Sequence, residues 1–125
     1  MEFVQLSGDE VVIRVLIRPE HLQVHGIVHG GVWSSVVETA ASIGAGMWHL
    51  DHGGGDTVGV SNSTDFLRAV REGVVTATAT PLHRGRLQQL WLVEIRDSDN
   101  RLVARGQVRL QNIPTADRLG AATPD

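Results

Sequence analysis

The spacing of apolar positions divides the chain into a β-rich start, one helical stretch and a β-rich remainder. Phe3 to Leu6 is a short candidate strand, and Ser7-Gly8-Asp9-Glu10 carries turn chemistry. Val11-Val12-Ile13-Arg14-Val15-Leu16-Ile17-Arg18 is dense in β-branched residues and predicts a second strand, which Pro19 ends. His21 to His29 holds one glycine, Gly26, and has no clear period. Val32 to His49 is helical: at 100° per residue, Trp33, Val36, Ala40, Ile43 and Met47 form one apolar stripe. The loop Asp51-His52-Gly53-Gly54-Gly55-Asp56 stops it. Strands are then predicted over Thr57–Arg68, Val74–Leu82, Leu87–Arg96 and Arg101–Ile113. In the last of these, Leu102, Ala104, Gly106, Val108 and Leu110 share a face. The expected fold class is α+β, an antiparallel sheet with one apolar face wrapped around a single long helix. Residues 1–113 would form one domain, and 114–125 a disordered tail.

The side of the helix opposite the stripe holds Gly31, Ser34, Ser35, Glu38, Ala41, Ser42 and Ala45. A solvated face would carry several charges. This one carries only Glu38, which predicts that another chain covers it.

Composition narrows the function classes. With 125 residues, 42% hydrophobic and 20% charged, the chain can build a core. Cys is absent, which removes disulfides and thiolate chemistry and makes the cytoplasm the expected compartment. The net charge of −3 gives no support for nucleic-acid binding. All eleven basic residues are Arg, so Schiff-base and P-loop lysines are excluded. No basic leader and no run of eighteen or so apolar residues is present, so neither export nor membrane insertion is expected.

The segment from Gln23 to Ala40 contains an amide residue, then His29-Gly30-Gly31 at the helix start, then Glu38 nine positions after the His. It resembles the signature of hotdog-fold thioesterases, in the branch of the PaaI-like and 4-hydroxybenzoyl-CoA thioesterases. Asp65-Phe66-Leu67-Arg68 with Gly73, His83-Arg84-Gly85-Arg86 and Leu102-Val103-Ala104-Arg105-Gly106 also look like the family. The resemblance spans roughly residues 3 to 113. Many relatives have Asp and Asn where this chain has Glu38 and Gln23; the Glu and Gln pair is what resemblance to the 4-hydroxybenzoyl-CoA group implies. The implied activity is hydrolysis of an acyl-CoA to a carboxylic acid and free CoA. No cofactor is expected beyond the coenzyme A of the substrate.

Thioester hydrolysis needs an attacking oxygen and a donor for the developing oxyanion. There is no Gly-x-Ser-x-Gly elbow, so a carboxylate must attack directly or activate water. Glu38 is the only acid in the helix body, and Ser34 and Ser42 lie one turn to either side. A backbone N–H of Gly30 or Gly31 would meet the oxyanion, with Gln23 adding a side-chain amide or ordering a water. Gly30 and Glu38 are eight residues apart, a rise of about 12 Å, while a Glu side chain spans roughly 5 Å. One helix therefore cannot easily place both on one carbonyl. Two antiparallel helices can, with Gly30 and Gln23 of one chain meeting Glu38 and Ser42 of the other. The resemblance implies the same shared site in a dimer or a dimer of dimers.

Arg68, Arg84 and Arg86 are candidates for the nucleotide phosphates, or else ordinary strand-end arginines. His29 either orders the helix start or touches substrate. His21, His25 and His29 have the spacing of zinc ligands on a helix, but Gly26 and the flanking Val24, Ile27 and Val28 argue against a helix there, and no metal is expected. Two other functions stay open: a hotdog dehydratase or hydratase using His25 or His29 with Glu38, and a non-catalytic acyl-CoA-binding domain.

Overall fold

Residues 11–16 set the pattern for the sheet: Val11, Ile13 and Val15 are buried, while Arg14 and Leu16 face outward. In the computed structural model, which describes residues 1–114, this period of two recurs in most strands. The elements are β1 (Glu2–Leu6), β2 (Val11–Leu16), α1 (Gly30–Asp51), β3 (Gly54–Phe66), β4 (Val74–Arg84), β5 (Gln88–Arg96) and β6 (Leu102–Pro114). A single 3-10 turn covers Pro19–His21. The sheet is antiparallel, in the order β1-β2-β4-β5-β6-β3. One of its faces closes on α1, which is the expected hotdog arrangement. Val75, Ala77 and Ala79 of β4, Trp91, Val93 and Ile95 of β5, and Ala104, Val108 and Leu110 of β6 supply the sheet side of the core. Leu102, predicted on the same face, is only half-buried.

Element ends differ from the sequence expectation for identifiable reasons. The helix starts at Gly30 because His29 caps it, its Nδ1 accepting the Gly31 N–H at 2.8 Å. Its last turn runs on to Asp51, and Gly53 follows with φ +78°. β3 begins at Gly54 because that residue still pairs with Pro114, which therefore belongs to β6. The predicted tail from 115 onward lies outside the described residues.

The two predicted helix faces also need correction. Ala41 and Ala45, placed on the side left for another chain, are fully buried within this one. Ile43 and Met47, placed on the buried stripe, are only half-covered. The cause is β3, which runs antiparallel along the flank of α1. Phe66 lies beside Gly30, the Asn62 side-chain amide donates to the Ser34 carbonyl at 3.0 Å, and Gly54 meets His49. The chain's own edge strand thus covers part of the nearly uncharged flank of the helix, while Gly31 and Ser35 stay exposed.

The helix lies close to the sheet because its inner positions are small. A Cβ on Gly44 would stand 2.5 Å from two ring carbons of Trp91, which is fully buried. Beneath that ring runs a polar chain that hydrophobic patterning does not predict. Trp91 Nε1 donates to Gln89 Oε1 at 2.9 Å, and Gln89 Nε2 donates to the Ala45 carbonyl at 3.0 Å and to Asn112 Oδ1 at 2.9 Å. Asn112 Nδ2 then donates to the Gly85 carbonyl at 2.8 Å. Each buried amide is satisfied, so the network ties α1 to the β4–β5 turn without the cost of an orphaned group.

The Gly44–Trp91 contact makes a test in which two effects oppose. Helix propensity alone would make Gly44→Ala more stable by about 1 kcal/mol. Overpacking costs about 1–3 kcal/mol, so a net loss of up to about 2 kcal/mol is expected in urea denaturation. A gain in stability would refute the close packing.

Candidate active site

The segment between the 3-10 turn and α1 folds back on itself. Leu22 bridges Val28, the Gln23 N–H donates to the Ile27 carbonyl at 2.8 Å, and Gly26 takes φ +76°, which a side chain would oppose. The Val28 N–H donates to the Val70 carbonyl at 2.8 Å, fixing the segment to the chain after β3. Gln23 is half-buried, and its Oε1 accepts the His25 N–H. Folding this way places Gln23 beside the start of α1.

A cavity of about 330 Å³ results, lined by Gln23, Ile27, Gly30, Trp33, Phe66 and Arg68 among others. Three predicted site residues, Gln23, Gly30 and Arg68, thus converge although 45 positions separate the first from the last. The apolar wall comes from Trp33 and Phe66. Gly30 is needed for that wall, because a Cβ there would stand 2.4 Å from the Phe66 ring. Trp33 was legible only as core, and its position at the cavity depends on the loop fold.

The two candidate oxyanion donors are now distinguishable. The Gly31 N–H is already spent on His29 Nδ1, and the Val32 N–H on the His29 carbonyl. Gly30 supplies the first-turn N–H that His29 does not occupy. The same contact gives His29 a structural duty as N-cap, with Nδ1 as the acceptor. Its side chain borders a different cavity, of about 470 Å³, together with Gly31, His21 and Val32.

Glu38 does not reach the Gln23–Gly30 cavity. Both ends of the separation lie on one continuous helix, so the rise of about 12 Å stands. The Glu38 carboxylate rests against Gly59 of β3, and its Oε2 is sealed from solvent without a hydrogen-bond partner. Such an atom is costly unless it has a task. Ser42, one turn on, lines a shallow groove with Gly46, Met47 and Thr57.

The arginines separate. Arg68 is exposed at the mouth of the Gln23–Gly30 cavity. Arg84 is committed elsewhere: its Nη1 donates to the Gly8 carbonyl and to Asp9, both at 2.7 Å, and its guanidinium sits 5.6 Å from the Trp48 ring centroid. Trp48 is eighteen residues along α1 from Gly30, a rise of about 27 Å. Within the chain Arg84 therefore ties the β1–β2 turn to the helix end, away from the Gln23–Gly30 cavity of the same chain. Arg86 lines a third cavity at that same end, with His49 and Asn112. The histidine spacing of four does not translate into a cluster, because His21 lies in the 3-10 turn and its Nδ1 accepts the Arg18 N–H at 2.9 Å. Among the described residues no three metal-ligating side chains converge.

Residues 25–104 match the family model of the thioesterase superfamily, and the chain belongs to that family as a thioester hydrolase. It is 52% identical over 114 residues to a Mycobacterium tuberculosis protein named "Putative esterase Rv1847", covering 90% of this chain and 81% of that one. The solved structure of the mycobacterial protein superimposes with a TM-score of 0.88, covering 98% of this chain and 93% of that chain. The 1,4-dihydroxy-2-naphthoyl-CoA hydrolase of Listeria monocytogenes is 30% identical over 105 residues, 82% of each chain. Two solved structures of Staphylococcus aureus SAV0944, 25% and 27% identical with TM-scores of 0.83 and 0.79, cover about nine tenths of both chains. They are single-substitution variants, one at a Glu and one at a Gln fifteen positions before it. Gln23 and Glu38 have the same separation.

The tie made by Arg84 has a direct check. Arg84→Ala should leave KM for an acyl thioester unchanged and lower stability by about 1 kcal/mol or less, since the ion pair is partly solvated. A several-fold rise in KM would return Arg84 to the binding site.

Proposed function

We propose that the protein hydrolyses an acyl-CoA thioester at a site shared between two antiparallel protomers. Gln23, Gly30 and Arg68 of one chain would act with Glu38 and Ser42 of the other. The carrying observation is that the oxyanion donor and the carboxylate stand about 12 Å apart on one helix, so a single chain holds only half of the chemistry. The Gly30 N–H would receive the developing oxyanion, aided by the positive end of the helix. Gln23 would orient the carbonyl or a water. Glu38 would attack the carbonyl or activate water. Arg68 would meet the nucleotide phosphates at the cavity mouth. With no Cys in the chain, the cytoplasm is its proposed compartment.

The sheet edge supports the pairing. β3 is an edge strand of 13 residues, and from Thr57 to Phe66 its only charged residue is Asp65. Val60, Phe66 and Leu67 are 52%, 57% and 55% exposed at that edge. Long, weakly charged, apolar edges are templates for another strand. If partner helices put Gly30 level with Glu38, their two-fold axis passes near Ser34, midway between those positions. Ser34 is the residue that Asn62 of β3 touches, so antiparallel pairing of two β3 edges about Asn62 would satisfy both conditions. The dehydratase reading loses support because His29 Nδ1 is engaged in capping.

Glu38→Gln should lower kcat by about 10²–10⁴ with little change in KM. Arg68→Ala should raise KM more than it lowers kcat, because phosphate contacts are shared by ground and transition states. Mixing inactive Glu38→Gln chains with inactive Gln23→Ala chains should restore activity, since one site of a mixed dimer keeps both groups. Full activity of Glu38→Gln in a CoA-release assay would end the catalytic assignment. An active monomer in sedimentation would end the shared site.

A further inference from the structure

Gly59 lies in the interior of β3, where a glycine normally weakens a strand. Its backbone does not require glycine: among the described residues, left-handed glycine φ values are confined to Gly26, Gly53 and Gly73. The remaining reasons for a strand glycine are a bulge or a close approach, and both occur here. The β3–β6 register shifts between Gly59 and Ser61. A Cβ built on Gly59 would stand 2.7 Å from Glu38 Oε1, 3.2 Å from Cδ and 3.3 Å from Oε2. Gly46, on α1 and beside the same strand, is different, since its Cβ would meet nothing nearer than Thr57 Oγ1 at 3.8 Å.

Oε2 of Glu38 accepts no hydrogen bond, so packing rather than a donor holds that oxygen in place. The packing partner is the bare backbone of β3 at Gly59. Asn62, through its 3.0 Å bond to the Ser34 carbonyl, pins the strand to the helix one turn away. We propose that Gly59 is a positioning residue for the reaction: the missing side chain lets the bulged edge strand form the wall that fixes where the Glu38 carboxylate stands. This inference rests on the reading of Glu38 as the group that performs the chemistry.

The test is a cycle on the full chain using Gly59→Ala, Glu38→Asp and their combination. Gly59→Ala should lower kcat roughly 10²-fold, the effect of misplacing a catalytic group by about 1 Å, with KM nearly unchanged. Glu38→Asp draws the carboxylate back by one methylene, away from the new methyl group. In the Gly59→Ala background it should therefore cost far less than in the parent, and the two losses should not multiply. Melting temperatures give a second reading. Gly59→Ala should lower the melting temperature when Glu38 is present and not when it is replaced by Ala. Should Gly59→Ala alone fail to fold, recovery of folding in the Glu38→Ala pair supports the contact, and failure to recover overturns it. A parental kcat in Gly59→Ala, multiplicative losses, or equal melting shifts with and without Glu38 would each overturn the proposal. An inactive Glu38→Gln beside a fully active Gly59→Ala removes only the role of Gly59. A fully active Glu38→Gln removes the catalytic reading beneath it.

Discussion

The contact between α1 and β3 is the constraint on which the rest of this structure depends. The strand lies along the helix flank at van der Waals distance, from Phe66 beside Gly30 to Gly54 beside His49. Small residues on both sides permit it. The contact does three things at once. It covers a flank of the helix that carries almost no charge, it builds one wall of the cavity at the helix start, and it encloses the carboxylate of Glu38. A larger side chain at Gly30 or Gly59 would disturb the site before it disturbed the core.

The remaining inner surface of the helix is fixed by a different compromise. Gly44 gives up helix propensity so that Trp91 can fill the space between helix and sheet. The indole then needs a partner for its N–H, and Gln89 supplies one, which in turn requires Asn112 and the Ala45 carbonyl. One large buried side chain thus accounts for a chain of polar residues in an otherwise apolar layer. Such a network specifies the register of β5 against β6, because a slip of one position would strand every amide in it.

Much of this was legible in the chain. The alternation in residues 11–16, 74–82 and 102–110 and the period of Val32 to His49 fixed the class of fold, because burial on one face leaves those periods little freedom. The motif around His29-Gly30-Gly31 placed Gln23 and Gly30 together, as observed. What could not be read follows from tertiary packing. The helix faces were misjudged at Ala41 and Ala45, because no local pattern says which strand will lie on a flank. Arg84 carries the same charge as Arg68, and only the fold shows that Asp9 and Trp48 have claimed it. The roles of Gly44 and Gly59 are likewise invisible in a sequence, since each is defined by an atom of a distant element.

The order of the strands carries a kinetic meaning. β1 and β2 are neighbours in sequence, and β4, β5 and β6 form a meander with short turns. Two pairings reach across long stretches of chain: β2 with β4, from Val11–Ala79 to Leu16–Val74, and β3 with β6, from Gly54–Pro114 to Phe66–Ala104. The closure entropy of those long loops falls on these two pairings, and contacts that span so much chain are the slow ones to form. A chain that had assembled its helix and meander but not yet docked β3 would hold most of its core and have no enclosure for Glu38. Enclosure of the Glu38 side chain is therefore a report on the docking of β3, a step separable from the burial of Trp91 between the helix and the meander.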